Sequence, residues 1–270
     1  MWKAVKYILI DLAFNVLSAL LVMVPGKIMG ADEAELIILF MAVANLLLCW
    51  YLVGKSVVRI DKESFMVWPW TTLLLAVVAT FFFMLPETDL IERLGFPNTI
   101  GDDLDEVGGT LLGLISIGII APIGEEFLYR GAVLGSLLEW KPLRSKPWVA
   151  ILLSAAFFSL IHMNPAQMPG AFLIGLFFGW IVYRTGSLLP GIICHIFNNS
   201  LSCIMTMLST EESADDTVAE MLNSPVLECL AVAASLFLCV VAIRVLVRKI
   251  NENYPPGRFN SVTDDITSQA

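Results

Sequence analysis

The amino-acid sequence predicts an all-α membrane protein whose chain crosses the bilayer about eight times. The 270 residues are 57% hydrophobic and only 15% charged, whereas a soluble globular domain carries about 25% charged residues. A second observation is a series of apolar stretches, each close to the roughly 17–25 residues that span a bilayer as a helix. The third is that basic and acidic loops alternate between these stretches. Together the three observations predict one polytopic membrane domain.

The predicted spans are residues 4–24, 34–53, 67–85, 107–124, 147–163, 169–184, 188–208 and 225–247. The fifth and sixth are short and separated only by MNPAQMPG, so we expect them to be tilted or partly re-entrant. The first contains Asp11 and Asn15 and lacks a small-residue cleavage site, so we expect a retained helix rather than a signal peptide. We assign residues 1–250 to a single transmembrane domain, with the motifs in about 107–208. Residues 251–270 form a short cytoplasmic tail that we expect to be disordered.

The loops on the two sides of this domain carry opposite charge. The basic residues of one side are Lys3, Lys6, Lys55, Arg59, Lys62, Lys141, Arg144, Lys146, Arg184, Arg248, Lys249 and Arg258. The loops of the other side are acidic and contain only Lys27 and Arg93 as basic residues. The positive-inside rule therefore predicts that both termini are cytoplasmic, and the compact chain without targeting signals favours a bacterial plasma membrane. The net charge of −9 argues against nucleic acid as a partner.

The cysteines do not indicate a disulfide framework. They all fall within predicted spans, as Cys49, Cys194, Cys203, Cys229 and Cys239. Their number is odd and the acidic loops contain none, so we expect free thiols.

Two glutamates and an arginine lie in the apolar sequence GIIAPIGEEFLYRGAV, near the end of the fourth predicted span. Ionisable side chains are expensive inside a bilayer and indicate a functional site. Glu126 and Arg130 are four residues apart with the acid first, which is the favourable order for an ion pair within a helix. Glu125 has Tyr129 at that spacing and no cation, so it is a candidate general base. The simpler alternatives are a purely structural ion pair, and a Glu125 that faces cytoplasmic water.

The only two histidines of the chain, His162 and His195, both lie in apolar segments. His195 and Asn199 are four residues apart and project from one helix face. There an imidazole and an amide can aim two N–H donors at one oxygen, as an oxyanion hole requires. Phe158 and His162 share a face in the same way, so the aromatic ring is expected to wall one side of the imidazole. Each residue alone is also explained by hydrogen bonding between helices.

The predicted depths of Glu125 and His162 conflict. With span four ending at residue 124, Glu125 lies near the cytoplasmic end, whereas His162 lies about 22 Å into span five. Either span four continues through Leu138 as one long helix, or the predicted boundaries are wrong by several residues. Pro122 and Gly124 also predict a kink that opens room for a water molecule beside Glu125.

Three motifs of the chain resemble those of the CPBP intramembrane proteases, the family of type 2 CAAX prenyl endopeptidases and bacterial Abi, or bacteriocin-immunity, proteins. They are Glu-Glu-x-x-x-Arg in GEEFLYRG, Phe-x-x-x-His in FSLIH and His-x-x-x-Asn in HIFNN, in the expected order along the chain. The resemblance implies an eight-helix fold around an intramembrane catalytic cavity. It also implies hydrolysis of a peptide bond in a membrane-associated or small secreted peptide at the lipid bilayer.

The resemblance further implies a role for each motif residue. Glu125 and His162 would activate a water molecule, while His195 and Asn199 would stabilise the tetrahedral oxyanion. The residues that would shape the site are Glu126, Arg130 and Phe158.

A metal ion is an open alternative. Glu125, His162 and His195 are three potential ligands of a catalytic zinc, and the family is often called metalloprotease. However, the chain has no His-Glu-x-x-His, and a glutamate-activated water with an oxyanion hole needs no ion. Metal-independent chemistry without a cofactor is therefore favoured.

Other mechanisms and functions fit the sequence less well. A rhomboid-type serine protease needs a nucleophilic serine in a Gly-x-Ser-x loop, whereas GSLLPG is typical of a turn into span seven. Cys194 adjoins His195 but points away from it, and Asp11 is the only candidate for an aspartyl protease. A non-catalytic scaffold or immunity factor would use the same polar cluster to hold helices together. A transporter would use it as a proton relay, although no pair of broken helices supports one. The substrate and the oligomeric state stay open.

Overall fold

The computed structural model describes residues 1–99, 106–209, 220 and 222–254, and these residues form helices without any strand. The helices are α1 (Trp2–Met29), α2 (Glu33–Gly54), α3 (Lys62–Phe65), α4 (Thr71–Leu94), α5 (Leu111–Glu139), α6 (Pro147–Ile161), α7 (Met168–Thr185), α8 (Leu189–Leu208) and α9 (Pro225–Asn253). Within the described residues, seven helices are long and apolar enough to cross a membrane, and α6 is a shorter apolar helix of 15 residues. The chain is therefore an all-α, polytopic integral membrane protein, and each predicted span corresponds to a helix.

Polar caps and glycines determine where several of these helices begin and end. The side chains of Asp32, Thr110 and Ser224 accept hydrogen bonds of 3.1, 2.9 and 3.3 Å from backbone amides in the first turns of α2, α5 and α9. Each such cap satisfies an amide that has no partner within its own helix. Helices α4 and α7 end at Gly95 and Gly186, whose φ angles of 60° and 69° lie in the left-handed region that glycine tolerates.

The predicted end of the fourth span at residue 124 is wrong, because α5 continues to Glu139. Glu125 therefore lies in the middle of a helix and not near its cytoplasmic end. From Glu125 to Glu139 the helix covers about 21 Å, and from Pro147 to His162 the chain returns by about 22 Å. The two candidate catalytic residues consequently lie at the same depth, and the long-helix alternative is the correct one.

The predicted end of the third span is also wrong. Helix α4 continues past residue 85 to Leu94, where Arg93 bonds both Asp89 in its own helix and Glu228 in α9, at 2.8 and 2.9 Å. Helix α9 runs to Asn253, three residues past the predicted domain boundary at residue 250. The remainder of the predicted tail, residues 255–270, lies outside the described residues.

Helix α5 lies at the centre of the bundle, where it contacts α1, α2, α6, α7 and α8. Helix α4 packs along α9, and α4 also contacts α8. The core around α5 consists mainly of aliphatic and aromatic side chains, such as Leu128, Leu134, Leu137, Ile151 and Phe178. Helices in lipid associate through close packing and interhelical hydrogen bonds, so the most enclosed helix is the one that can hold buried charges.

Two sections of α5, Ser116–Ile120 and Phe127–Leu134, are wound as π-helix. Around the first section, Asn199 and Ser200 of α8 donate side-chain hydrogen bonds to the carbonyl oxygens of Ile117 and Gly118, at 3.3 and 3.0 Å. Side chains that bond helix carbonyls in this way commonly accompany a local change in winding, and π-helical turns occur often at functional sites. The rewinding places Glu125 and Glu126 between the two sections.

Candidate active site

A single cavity of about 990 Å³ contains all four residues to which the sequence analysis assigned catalytic roles. Glu125 enters it from α5, His162 from the end of α6, and His195 and Asn199 from α8. Phe158 forms part of its wall. Residues that lie far apart in the sequence therefore share one chamber within the helix bundle.

The ion pair expected between Glu126 and Arg130 is present and is buried. Arg130 Nη1 donates to Glu126 Oε1 at 2.6 Å, and the side chains of Arg130 and Glu126 are 1% and 0% exposed. The guanidinium lies over the ring of Phe158, with its central carbon 4.4 Å from the ring centroid, and 5.6 Å from that of Phe178. A carboxylate on one side and aromatic faces on the other stabilise the buried cation.

His195 joins the two glutamates, an arrangement that helical spacing alone did not predict. Its Nδ1 lies 3.0 Å from Glu126 Oε1, and its Nε2 lies 3.5 Å from Glu125 Oε2. Because a carboxylate can only accept a hydrogen bond, Nδ1 carries a proton. The side chain of Glu125 is 26% exposed, so it is the member of this group that is open to the cavity.

His162 is oriented by the backbone of its own helix. Its Nδ1 lies 2.8 Å from the carbonyl oxygen of Phe158, and a carbonyl oxygen requires a donor, so Nδ1 carries the hydrogen. The neutral ring therefore keeps its lone pair on Nε2. The Phe158 ring lies edge-on to both imidazoles, with centroid distances of 4.9 Å to His162 and 5.6 Å to His195.

The side-chain amide of Asn199 is held at both ends. Its Nδ2 donates to the carbonyl oxygen of Ile117 at 3.3 Å, and its Oδ1 accepts from Asn198 at 3.2 Å. The carbonyl of Ile117 uses one of the two amide hydrogens. The other remains available to a ligand in the cavity.

Glycines allow the helices to approach the buried charges. A β-carbon at Gly191 of α8 would lie 2.6 Å from Glu126 Oε2, and one at Gly124 would collide with Asn45 Oδ1. A side chain at either position would force the contacted side chain or its helix to shift. Gly191, in the first turn of α8, therefore allows this helix to bring His195 close to Glu126.

Several cavity residues were not predicted as parts of the site. Asp11, Asn15, Asn45 and Glu87 contribute polar side chains to the cavity wall, and Tyr129 also lines it. Asp11 and Asn15 were visible as polar residues within the first span, and Asn15 donates to Asp11 Oδ1 at 3.3 Å. Glu87 follows the predicted end of the third span, so the sequence did not mark it as an intramembrane carboxylate.

A buried asparagine fastens the loop that follows His162. Asn164 is fully buried; it donates to Asn98 Oδ1 at 2.8 Å and accepts from the backbone amide of Thr99 at 3.2 Å. These bonds join the segment after α4 to the segment after α6, beside the cavity. The loop that follows His162 is thereby held in place by the segment that follows α4.

The alternative of a zinc ion held by Glu125, His162 and His195 receives no support from the donor geometry. In the described part of the chain, no three His, Cys, Asp or Glu side chains approach closely enough to hold a metal ion. One nitrogen of each histidine bonds a neighbouring oxygen, which leaves the other ring nitrogen for a ligand or a water molecule.

The cysteines are free thiols, as expected. Cys194, the neighbour of His195, is fully buried. It does not line the cavity, so Cys194 is not a nucleophile of this site.

Comparison with known proteins finds a family that the motif-bearing segment resembles. Residues 107–201 match the model of the family described as Rce1-like, type II CAAX prenyl endopeptidase. No curated protein and no solved structure gives a significant match to the chain. The matched segment covers α5 to the middle of α8 and therefore includes all three motifs. Over these residues the chain is similar to the Rce1-like family of type II CAAX prenyl endopeptidases, and this match confirms the resemblance to CPBP intramembrane proteases.

Proposed function

We propose that this protein is an intramembrane endopeptidase in which Glu125 and His162 activate the water that attacks a peptide bond. The family match supports a CAAX-type endopeptidase at the level of the family. The observation that carries the assignment of residues is the cavity, which holds Glu125, His162, His195 and Asn199 together. Proteolysis uses all four of these groups, whereas a scaffold has no need for an open chamber around them.

Glu125 and His162 have the properties of two proton acceptors for one water molecule. The carboxylate of Glu125 is open to the cavity, and His162 keeps its lone pair on Nε2 because Nδ1 bonds the Phe158 carbonyl. A water held between them directs its own lone pair at the carbonyl carbon of the peptide bond. As the new C–O bond forms, Glu125 takes the proton; it returns this proton to the amine nitrogen when the C–N bond breaks.

His195 and Asn199 supply the donors that stabilise negative charge on the carbonyl oxygen. The proposal assigns the first donor to an N–H at Nε2 of His195, which lies 3.5 Å from Glu125 Oε2. The second donor is the amide hydrogen of Asn199 that the carbonyl of Ile117 does not use. Two prepositioned donors in a water-poor cavity stabilise an oxyanion strongly.

Glu126 and Arg130 position the site and do not touch the substrate in this proposal. Glu126 holds His195 through Nδ1, and Arg130 neutralises Glu126. The same arrangement keeps the imidazole oriented toward Glu125, which is the role of a carboxylate behind a catalytic histidine.

The basic residues support a plasma-membrane protein with both termini in the cytoplasm, and a bacterial host fits a peptide substrate without a prenyl group.

A non-catalytic immunity factor is the second candidate. It is favoured by the tight hydrogen bonding of the polar cluster, which would also hold helices together.

The test compares cleavage of a library of membrane-anchored peptides by the wild type and by Glu125→Gln, detected by mass spectrometry. Loss of the general base is expected to lower kcat/KM by about 10²–10⁴-fold without lowering the melting temperature. Glu139→Gln is the matched control, because Glu139 lies on the same helix and pairs with Lys3 in an exposed bridge. The control is expected to cleave like the wild type.

Each reaction is repeated with a strong chelator, and activity is expected to persist. Chelator-sensitive activity that zinc restores would replace the water-activation proposal with a metal mechanism. A well-folded wild type that cleaves no peptide would favour the scaffold.

A further inference from the structure

The cavity extends toward the side of the acidic loops and away from the basic ones, as its lining residues show. Residues from the ends of helices on one side of the bundle line its outer part, namely Met23, Ile37, Ile91, Gln167 and Thr206. These residues lie near the end of α1, the start of α2, the end of α4, the start of α7 and the end of α8. Successive spans run in opposite directions, so all five lie on the same side of the membrane. That side is opposite the loops that contain Lys55, Lys141 and their basic neighbours.

The carboxylate, lysine and arginine side chains of a cavity wall set its charge, and here the described ones are all carboxylates. They are Asp11, Glu87 and Glu125, and among the described lining residues none is lysine or arginine. Arg130 lies behind the wall, is 1% exposed and is already paired with Glu126. The segment that joins α1 to α2 on this side is acidic as well, with the sequence ADEAE. Carboxylates in a cleft with low-dielectric walls focus a negative potential that attracts cations.

Glu87 is the carboxylate whose charge the surrounding protein leaves uncompensated. Its side chain makes no hydrogen bond or ion pair with any described residue, and a β-carbon at Gly170 would collide with it. It is only partly exposed, so it has lost part of its hydration without gaining a partner. A cation brought to this position by a ligand would gain an ion pair and satisfy the carboxylate.

We infer that the substrate is a cationic peptide segment that enters the cavity from the extracytoplasmic face, with a lysine or arginine directed to Glu87. This inference rests on the proposed function, because it names the substrate class of the same site. Asp11 adds a second negative charge deeper in the chamber, near Glu125. A peptide with a carboxylate at the corresponding position is repelled by all three acids.

The first experiment measures kcat/KM of purified protein for peptide triplets that are identical except for lysine, glutamine or glutamate at one position near the cleavage site. The lysine peptide is expected to be cleaved about tenfold faster than the glutamine peptide, and the preference is expected to weaken as salt rises. In Glu87→Gln the ratio of lysine to glutamine cleavage is expected to fall toward one. Because Glu87 makes no hydrogen bond or ion pair with the described residues, we expect this isosteric change to leave the fold intact.

Glu35→Gln is the matched control. Glu35 is exposed at the start of α2 on the same side of the membrane and does not line the cavity, so its variant is expected to retain the full lysine preference. Equal cleavage of all three peptides, or a preference that Glu87→Gln leaves unchanged, would overturn the inference while the protease proposal stands. Cleavage of none would instead reject the protease itself.

The second experiment tests the side of entry. Right-side-out and inside-out membrane vesicles from a bacterial expression host receive a water-soluble lysine peptide that was cleaved by the purified protein. Right-side-out vesicles are expected to cleave it without detergent, and inside-out vesicles only after detergent opens them. The reverse result would place the mouth in the cytoplasm and overturn the inference.

Discussion

At the residue scale, the site is organised around four ionisable groups that sit together at the centre of the bundle. Glu126 is held by Arg130 and by His195, and His195 also faces Glu125. Each charge in such a group depends on its neighbours, because removing one leaves another buried without compensation. The pair at Glu126 and Arg130 is therefore required by the fold, whereas Glu125 is open to the cavity and free to react.

Glu126→Gln tests this difference. The substitution leaves Arg130 buried beside a neutral amide and is expected to cost about 3–5 kcal/mol, seen as a large drop in melting temperature of the detergent-solubilised protein. Glu252→Gln is the control, because Glu252 forms the same i,i+4 pair with Arg248 at 2.8 Å but on the exposed end of α9. Its melting temperature is expected to match that of the wild type. Equal melting temperatures for the two variants would contradict the structural role of the buried pair.

Asn199→Ala tests the proposed oxyanion donor. Removing one donor is expected to lower kcat by about 10²–10³-fold with little change in KM, measured on a peptide that the wild type cleaves. Asn198→Ala is the neighbouring control; it removes one hydrogen bond to Asn199 and is expected to retain most of the activity. A loss that appears in KM alone would assign Asn199 to substrate binding instead.

At the element scale, the close contact between α5 and α8 brings the three motifs together. The π-helical section Ser116–Ile120 of α5 receives hydrogen bonds from α8. In the first turn of α8, Gly191 lets the backbone approach Glu126. Both features act on the spacing between helices and not on any catalytic side chain directly.

Gly191→Ala is expected to push α8 away from α5, because the new methyl group would lie 2.6 Å from Glu126 Oε2 and 3.1 Å from Val182. Glu126 cannot simply move aside, since Arg130 and His195 hold it. Overpacking of this kind costs about 1–3 kcal/mol, and we expect a lower melting temperature together with reduced cleavage.

The control for this variant is Gly54→Ala at the end of α2, where a β-carbon meets no atom within 4 Å. Its melting temperature is expected to stay unchanged or to rise slightly, because alanine favours helix more than glycine does. If both variants behave alike, the contact at Gly191 has no special role.

At the scale of the whole molecule, the helices enclose a chamber that reaches from the middle of the bundle to its acidic side. Helix α6 is too short to cross a membrane by itself, and it ends at the chamber beside His162. The shortened span leaves room for the cavity, and Asn164 fastens the connection to α7.

The orientation of the chain is tested with fusions. A green fluorescent protein after residue 270 is expected to fluoresce, because it folds in the cytoplasm, whereas an alkaline phosphatase joined there is expected to be inactive. A phosphatase joined after residue 216, in the acidic loop that follows α8, is expected to be active. The opposite pattern would reverse the orientation and with it the predicted side of the cavity mouth.

The fold class and the identity of the motif residues follow from local properties of the chain. Apolar length predicts a span wherever it occurs, and a spacing of four residues places Glu126 beside Arg130 and His195 above Asn199 on their own helices. Such arguments need no knowledge of neighbouring helices. These local arguments fail at helix boundaries such as the end of α5. Charged residues in an apolar stretch suggest that a span ends, but the buried ion pair of Glu126 and Arg130 lets α5 continue past them.

Contacts between helices were decided only by the tertiary structure. No pattern within α8 shows that His195 meets both glutamates of α5, nor that Glu87 of α4 and Asp11 of α1 face the same chamber. These distances depend on how closely the helices approach one another, which is set by glycines, by rewound turns and by the packing of the bundle. The sequence by itself thus determined the spans, the charge asymmetry and the reactive residue types. Their assembly into one acidic cavity required the packing, because interactions between distant segments leave no periodic pattern along the chain.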